Sequence, residues 1–470
     1  MKKSRKIMLM PVGFAALAVA LLYVWLGPLW PDAAAQLQIR LPIPDNNPTD
    51  LVDPNGGRIE GTLQTFDGVA ADIPGDWPQF RGPNLDAILS DEPVALAKSW
   101  PEEGPKVLWT IDLGPGYAGA AVLNGRAFVM DYDDKAIRDA IRCFSLADGA
   151  EIWRYSYPIK IKFQHGMSRT VPAVTDKYVV TMGPKCHVTC LDPNTGDLRW
   201  MLDLVREYGT KVPAWYAGQC PLIEEEEKLI LGVGGDEVLM MAVDCNSGET
   251  IWETPNPNKW LMTHSSVLPV EFGGQRMYVY CASGGVVGVS AEGGRILWEY
   301  PDWKIRIANV PTPVYVGDGK IFLSGGYNAG SMMLQLSGQG DAIEAKALFK
   351  LTSDIYGSEQ QTPIFYDGYI YGVNADDQLC CLDLEGNVMW TSTSAHEFGL
   401  GPYAISGGRI YVLDDDGLLT MAEATPSGYK QIAQAKVLEG PEAWGPMAFA
   451  AGRLIVRDMN KMVCLDISEQ

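Results

Sequence analysis

The clearest pattern in the chain is a short apolar run, a polar turn and a second apolar run ending in Trp. It is seen best in C-L-D-P-N-T-G-D-L-R-W at positions 190–200. Alternation of this kind, with β-branched and aromatic residues on either side of a Gly-bearing turn, predicts a two-stranded hairpin. Variants recur as C-F-S-L-A-D-G-A-E-I-W up to Trp153, A-V-D-C-N-S-G-E-T-I-W up to Trp252, G-V-S-A-E-G-G-R-I-L-W up to Trp298 and C-L-D-L-E-G-N-V-M-W up to Trp390. One small residue stands nine or ten positions before each Trp. The hairpin is therefore one part of a repeated unit.

Two further landmarks accompany it in fixed order. Pro172, Pro221, Pro269, Pro313, Pro363, Pro402 and Pro446 stand at steps of 39 to 50 residues, with Ala120 and Ala121 in the equivalent place of the first unit. Proline is tolerated at a strand's first residue or on an edge, so these positions mark strand beginnings. Between them fall tight turns, Asn124-Gly125, Asp318-Gly319 and Asp367-Gly368 among them, each followed by an aromatic or β-branched run. Such pairs supply the positive φ angles that two-residue hairpin loops need. Strand, turn, strand, turn, strand in about 45 residues predicts the four-stranded blade of a β-propeller, and the landmarks count eight blades. The last unit ends near Cys464 without a Trp strand, whereas V-L-W at 107–109 is a Trp strand without a preceding unit. Joining the two closes the ring and removes two exposed sheet edges.

The fold class expected is thus all-β, an eight-bladed β-propeller over residues 76–470. The docking residues are Trp109, Trp153, Trp200, Trp252, Trp298 and Trp390, each burying about 150 to 250 Å² against a neighbouring blade. The fifth unit has Phe349 in that place and the seventh has no aromatic residue there, so those blades are expected to dock less well.

The first residues change the picture of where this ring works. Lys2, Lys3, Arg5 and Lys6 precede an uncharged run from 7 to 30, whose helical length of about 36 Å suffices for a bilayer core of about 30 Å. Residues 1–31 are expected to form a signal-anchor or transmembrane segment with its basic end cytoplasmic, which places the propeller on the extracytoplasmic, periplasmic side. Cleavage near Ala33, Ala34 and Ala35 and secretion is the alternative. Residues 32–75, rich in Pro, Asn, Asp and Gly, read as a flexible linker.

Charge and cysteines exclude more than they assign. A formal charge of −21 disfavours binding to nucleic acid, whose phosphates would be repelled. Nine cysteines cannot all pair among themselves. Cys143, Cys190 and Cys381 share the small core position before Trp, which makes them packing residues. Cys186 and Cys190, flanking His187, stand about 13 Å apart on an extended strand, too far to share a metal ion or a disulfide. Four His and no G-x-S-x-G leave hydrolytic chemistry without a local motif, and no catalytic residue or metal ligand is assigned.

The Cys190 to Trp200 stretch, with its apolar pair, Asp, Thr-Gly turn and Trp, resembles the tryptophan-docking repeats of the pyrroloquinoline quinone (PQQ) propeller superfamily. D-W-P-Q-F-R-G-P at 76–83 and V-L-W at 107–109 are similar to the exported PQQ-like repeat proteins of that superfamily. The resemblance implies one of two roles. One is a non-catalytic binding or assembly scaffold in the cell envelope, as in the propeller subunit of the outer-membrane β-barrel assembly machinery; its partner, cell-envelope protein or small molecule, is unspecified and no cofactor is needed. The alternative is a quinoprotein alcohol dehydrogenase with PQQ and calcium in the channel, a carboxylate base, and a disulfide between adjacent cysteines over the cofactor. Cys380-Cys381 is the only adjacent pair, but neighbours on a pleated strand point to opposite faces. The scaffold reading is preferred. Its binding face is expected in the segments just before each inner strand, at His165, Arg169, Trp215, Tyr216, His264, Asn309, Glu359, Gln360 and Trp444, since aromatic and Arg residues serve as interface anchors.

Overall fold

A computed structural model describes residues 59–90, 93–162, 167–224 and 227–469. Eight antiparallel sheets follow one another along the chain, and together they form the eight-bladed propeller. In each blade the four strands lie side by side in order, as in Leu222–Glu224, Lys228–Gly232, Val238–Asp244 and Thr250–Pro255 of the third blade. First strands of neighbouring blades touch, Ala121–Leu123 against both Ala448–Ala450 and Ala173–Val174, so these strands line the axis. The ring closes as expected: Lys106–Asp112 pairs antiparallel with Lys461–Asp466 and places Trp109 opposite Cys464.

The turn residues explain the strand spacing. Asn124-Gly125, Asp318-Gly319 and Asp367-Gly368 all have positive φ at both positions. That is the twist a two-residue hairpin needs, and it fits Asn or Asp before Gly. Pro172, Pro221, Pro313, Pro363 and Pro402 each stand immediately before an inner strand, whereas Pro269 is the second residue of Leu268–Phe272.

Four of the six tryptophan docks share a hydrogen bond, whereas Trp252 Nε1 has no partner among the described residues and Trp298 Nε1 donates to Met277 Sδ at 3.3 Å. The indole Nε1 of Trp109, Trp153, Trp200 and Trp390 donates to a backbone carbonyl in the next blade's outer turn, those of Leu146, Pro193, Cys245 and Thr425, at 2.7 to 3.1 Å. The rings of Trp109, Trp153, Trp200 and Trp252 lie over a turn glycine, Gly149, Gly196, Gly248 and Gly294. A Cβ at Gly196 (φ 78°) would come within 2.7 Å of the Trp153 ring, and one at Gly248 (φ 77°) within 2.8 Å of the Trp200 ring. The Thr-Gly turn therefore serves both the hairpin and the dock.

Across the strand pair, each Trp faces a small residue: Cys143, Cys190, Ala242, Gly288, Cys381 and Cys464 stand opposite Trp153, Trp200, Trp252, Trp298, Trp390 and Trp109. In the fifth blade Phe349 faces Met333, and in the seventh Ala433 faces Met421. Where the large indole is missing, the small partner has become large. In the fifth blade the Phe349 ring itself takes the docking place, 2.9 Å from a Cβ at the next turn glycine, Gly386, and methionine's flexible side chain suits irregular space.

Two segments before the first blade attach to the ring. Thr62–Thr65, within the stretch expected as a linker, pairs antiparallel with the outer strand Glu151–Pro158 as a fifth strand. Residues 77–89 cross one end of the channel. Trp77 exchanges backbone hydrogen bonds with Val122, Val174 N donates to Pro78 O, and Ile88–Leu89 runs parallel to the seventh blade's inner strand. Buried Arg81 donates to the carbonyls of Thr362 and Pro363 at 2.9 and 3.0 Å. The strap thus ties the inner strands of four blades together.

All nine cysteines are buried and unpaired. No helix among the described residues is long and apolar enough to cross a membrane. The span expected in residues 1–31 lies outside the described residues.

Candidate functional site: the channel mouth

With one end strapped, the channel becomes a cup of about 880 Å³, with Phe80 of the strap in its lining. Its wall comes from two sets of loops. One set is the segments leading into inner strands, which supply Arg169, Trp215, His264, Glu359, Gln360 and Trp444. The other is the turns between second and third strands, which supply Tyr327, Asp377 and Asp415. In an up-and-down blade these two loop types emerge at the same end, so the topology alone brings them together.

The aromatic wall is ordered by short contacts. Trp215 and Tyr327, from the third and fifth blades, stack with centroids 6.4 Å apart and planes 11° from parallel. Tyr117 and Trp444 lie 5.0 Å apart. The Arg169 guanidinium sits 5.0 Å over the Tyr117 ring and its Nε donates to Trp215 O at 2.5 Å. Tyr117 Oη donates to Glu442, which also lies near enough to offset the Arg169 charge. Trp215, Tyr216, Tyr327 and Asn328 all have positive φ. Backbone conformations of this kind in non-glycine residues cost about 1 to 3 kcal/mol each and gather at ligand clamps.

Carboxylates are interleaved with these rings: Glu359 packs against Gly326, beside Tyr327. Asp415 accepts from Trp444 Nε1 at 2.6 Å and from Leu400 N at 2.8 Å. No Lys or Arg among the described residues forms an ion pair with Glu359, Asp377 or Asp415. Loss of solvent raises all three carboxyls above their ordinary range, and repulsion adds to it: Asp377 acts on Glu359, and Asp415 on Asp377. His264, 8% exposed, is pushed down to about 4 by burial and then by the Arg169 charge, so its imidazole is neutral at pH 7. Its Nδ1 has no hydrogen-bond partner.

Of the nine residues expected at this face, six line the cup. Tyr216 is buried behind it, its hydroxyl bonded to the Lys162 backbone on both sides. Asn309 is buried too, its carbonyl accepting from His264 N and Ser265 N. His165 lies outside the described residues. Sequence reasoning missed Tyr117, Tyr327, Asp377 and Asp415. Tyr117 obeys the segment-before-inner-strand rule; the other three needed the companion rule for the second turn of each blade.

A family model described as outer membrane protein assembly factor BamB matches residues 138–386, just over half of the chain. The chain belongs to this family of PQQ-like repeat propellers. No curated protein matches it in sequence. Among solved structures it is similar to BamB from Moraxella catarrhalis, with 13% identity, a TM-score of 0.53, and coverage of 77% of this chain and all of that one. It is also similar to a europium-containing methanol dehydrogenase, with 13% identity, a TM-score of 0.60, and coverage of 82% and 89%. A computationally designed protein, Ika8, matches at 11% identity and a TM-score of 0.54, over 77% of this chain and all of that one. At such identities these likenesses establish the eight-bladed fold alone.

The PQQ and calcium alternative calls for a convergent set of oxygen ligands and a cysteine pair over the channel. Among the described residues, no group of three or more His, Cys, Asp or Glu side chains is placed to hold a metal ion. Hard calcium takes six to eight oxygen ligands. Cys380 and Cys381 lie on the pleated strand Leu379–Leu382, opposite Thr391 and Trp390, and pack into two different core clusters. Neither lines the cup.

Proposed function

We propose that the protein is a non-catalytic binding or assembly propeller of the cell envelope, held to the membrane by residues 1–31 with the ring on the extracytoplasmic side. The observation that carries the reading is the cup. It has a strapped end, a wall of stacked aromatic rings, and carboxylates that form no ion pair among the described residues. Family membership supports it, because the matching model is named for an assembly factor. Preformed, aromatic-rich concave surfaces are where anchor residues of a partner lodge.

The test is site-specific photocrosslinking of the full-length protein in cells. A benzoylphenylalanine at Tyr327 on the mouth should yield one recurrent protein adduct. The same probe at Leu348, exposed on an outer strand, should not. An adduct confined to Leu348, or PQQ-dependent alcohol oxidation by the purified protein, would overturn the reading.

A further inference from the structure

We propose that the cup is a binding site for an organic cation, an amine or guanidinium group carried on a slender chain. The inference goes beyond the assembly reading because it rests on the cup's own chemistry rather than on the identity of a partner.

Three features select the class. Glu359 and Asp377 project into the cup with neither an ion pair nor a side-chain hydrogen bond, and Asp415 keeps its second oxygen free. Their mutual repulsion is relieved only by protons or by a cation. Beside Glu359 stand the stacked Trp215 and Tyr327 rings, whose electron-rich faces attract ammonium and guanidinium groups. His264, nine-tenths buried, lines the cup as a neutral ring, so it adds no positive charge to repel a cation. An anion would meet three carboxylates and one cation, Arg169, which Glu442 already offsets. The volume of about 880 Å³ lies in the range of small-molecule sites and leaves no room for a folded domain. The cation therefore arrives free or at the tip of an extended segment.

Calorimetric titration of the full-length protein in detergent tests this with three probes. Agmatine represents a free cation, an Arg-containing tetrapeptide a presented one, and citrate the opposite charge. Saturable binding of agmatine, the tetrapeptide or both is expected, weakened by salt, with citrate silent. Agmatine binding alone identifies a metabolite-like amine, and tighter binding of the tetrapeptide identifies a partner's basic side chain. The double variant Glu359→Gln, Asp377→Asn should weaken the cation by about tenfold or more with an unchanged melting temperature, and Trp215→Leu should weaken it separately. Silence of both cations to millimolar concentration, binding unaffected by the double variant, or preferential citrate binding would each overturn the proposal. Crosslinking at Tyr327 reports on the assembly reading independently, so the two can fail separately.

Discussion

The outer rim and the channel mouth are built from the same eight units, yet they use opposite means. At the rim one geometry recurs at Trp109, Trp153 and Trp200: the indole donates to the next blade's turn carbonyl, lies over a turn glycine and faces a small residue across the strand pair. At the mouth no one contact geometry recurs from blade to blade, and backbone conformations unfavourable to L-residues gather at Trp215, Tyr216, Tyr327 and Asn328. Repetition marks what holds the ring. Irregularity marks what the ring holds. The comparison breaks if rim substitutions prove mild or if mouth substitutions unfold the protein.

The largest effect should come from the rim. Trp200→Ala removes a side chain 8% exposed, together with its bond to Cys245 O at 2.7 Å. A cost of about 3 to 5 kcal/mol is expected by chemical denaturation. Ala433→Trp in the seventh blade should destabilise as well, because Met421 occupies the space a docking ring would need. If Ala433→Trp stabilises the protein, the size exchange between these positions is not compensation.

The next effect lies between the two regions and is read through pH. Buried Asp139, bonded by Tyr157 Oη at 2.5 Å and Ser168 Oγ at 3.4 Å, is pushed up to about 7 by burial, against an ordinary 3.8. The folded state then binds the proton more tightly than the unfolded one. The contribution is full below about pH 4, declines as pH rises to 7 and is gone above it. His264, lowered to about 4, has the opposite slope: its contribution is full above pH 6.5 and is lost as pH falls toward 4. Asp139→Asn should leave stability rising more steeply with pH across this window, and His264→Gln should leave it falling. At about 1.4 kcal/mol per pH unit the Asp139 effect spans at most a few kcal/mol. Parallel pH–denaturation curves for wild type and Asp139→Asn would show that the carboxyl is not protonated in the folded state.

How much of this was legible follows from the same contrast. Pro172, the Asn124-Gly125 turn and the Cys190 to Trp200 hairpin carry local chemistry that any copy repeats, so strand order, blade number and the closure through Trp109 could be read directly. The strap was legible in part: residues 76–83 could be read as packing across one end of the ring, but their anchors could not, because Trp77 and Arg81 act through backbone partners in Val122 and Thr362, far away in sequence. Glu359 and Trp444 were found at the mouth because their segments precede inner strands. Asp377 and Asp415 were not, because they stand in ordinary-looking acidic turns. Only the topology shows that those turns open at the same end.

A smaller effect separates the two roles of the turn glycine. Gly248→Ala places a methyl group within 2.8 Å of the Trp200 ring at φ 77°. A cost of about 1 to 3 kcal/mol is expected from the backbone conformation together with the displaced ring. Gly368→Ala, at φ 83° with nothing near its Cβ position, bears the conformational part alone and should cost less. Equal costs at the two sites, measured by denaturation, would show that the ring contact adds nothing to the turn requirement.

The smallest effect on stability is the one that sharpens the comparison most. Glu359 lies open at the mouth without a hydrogen-bond donor or basic partner, and Asp377 repels it. Removing its charge leaves no buried group unsatisfied and relieves a repulsion. Glu359→Gln should therefore change stability by no more than about 0.5 kcal/mol, in the stabilising direction at pH 7. The same substitution should weaken whatever cationic group enters the cup. A site that gains or keeps stability while losing affinity is one in which folding and binding are opposed. If Glu359→Gln instead destabilises the ring by as much as a rim glycine does, the carboxylate is a structural group, and the division between rim and mouth fails at its most exposed point.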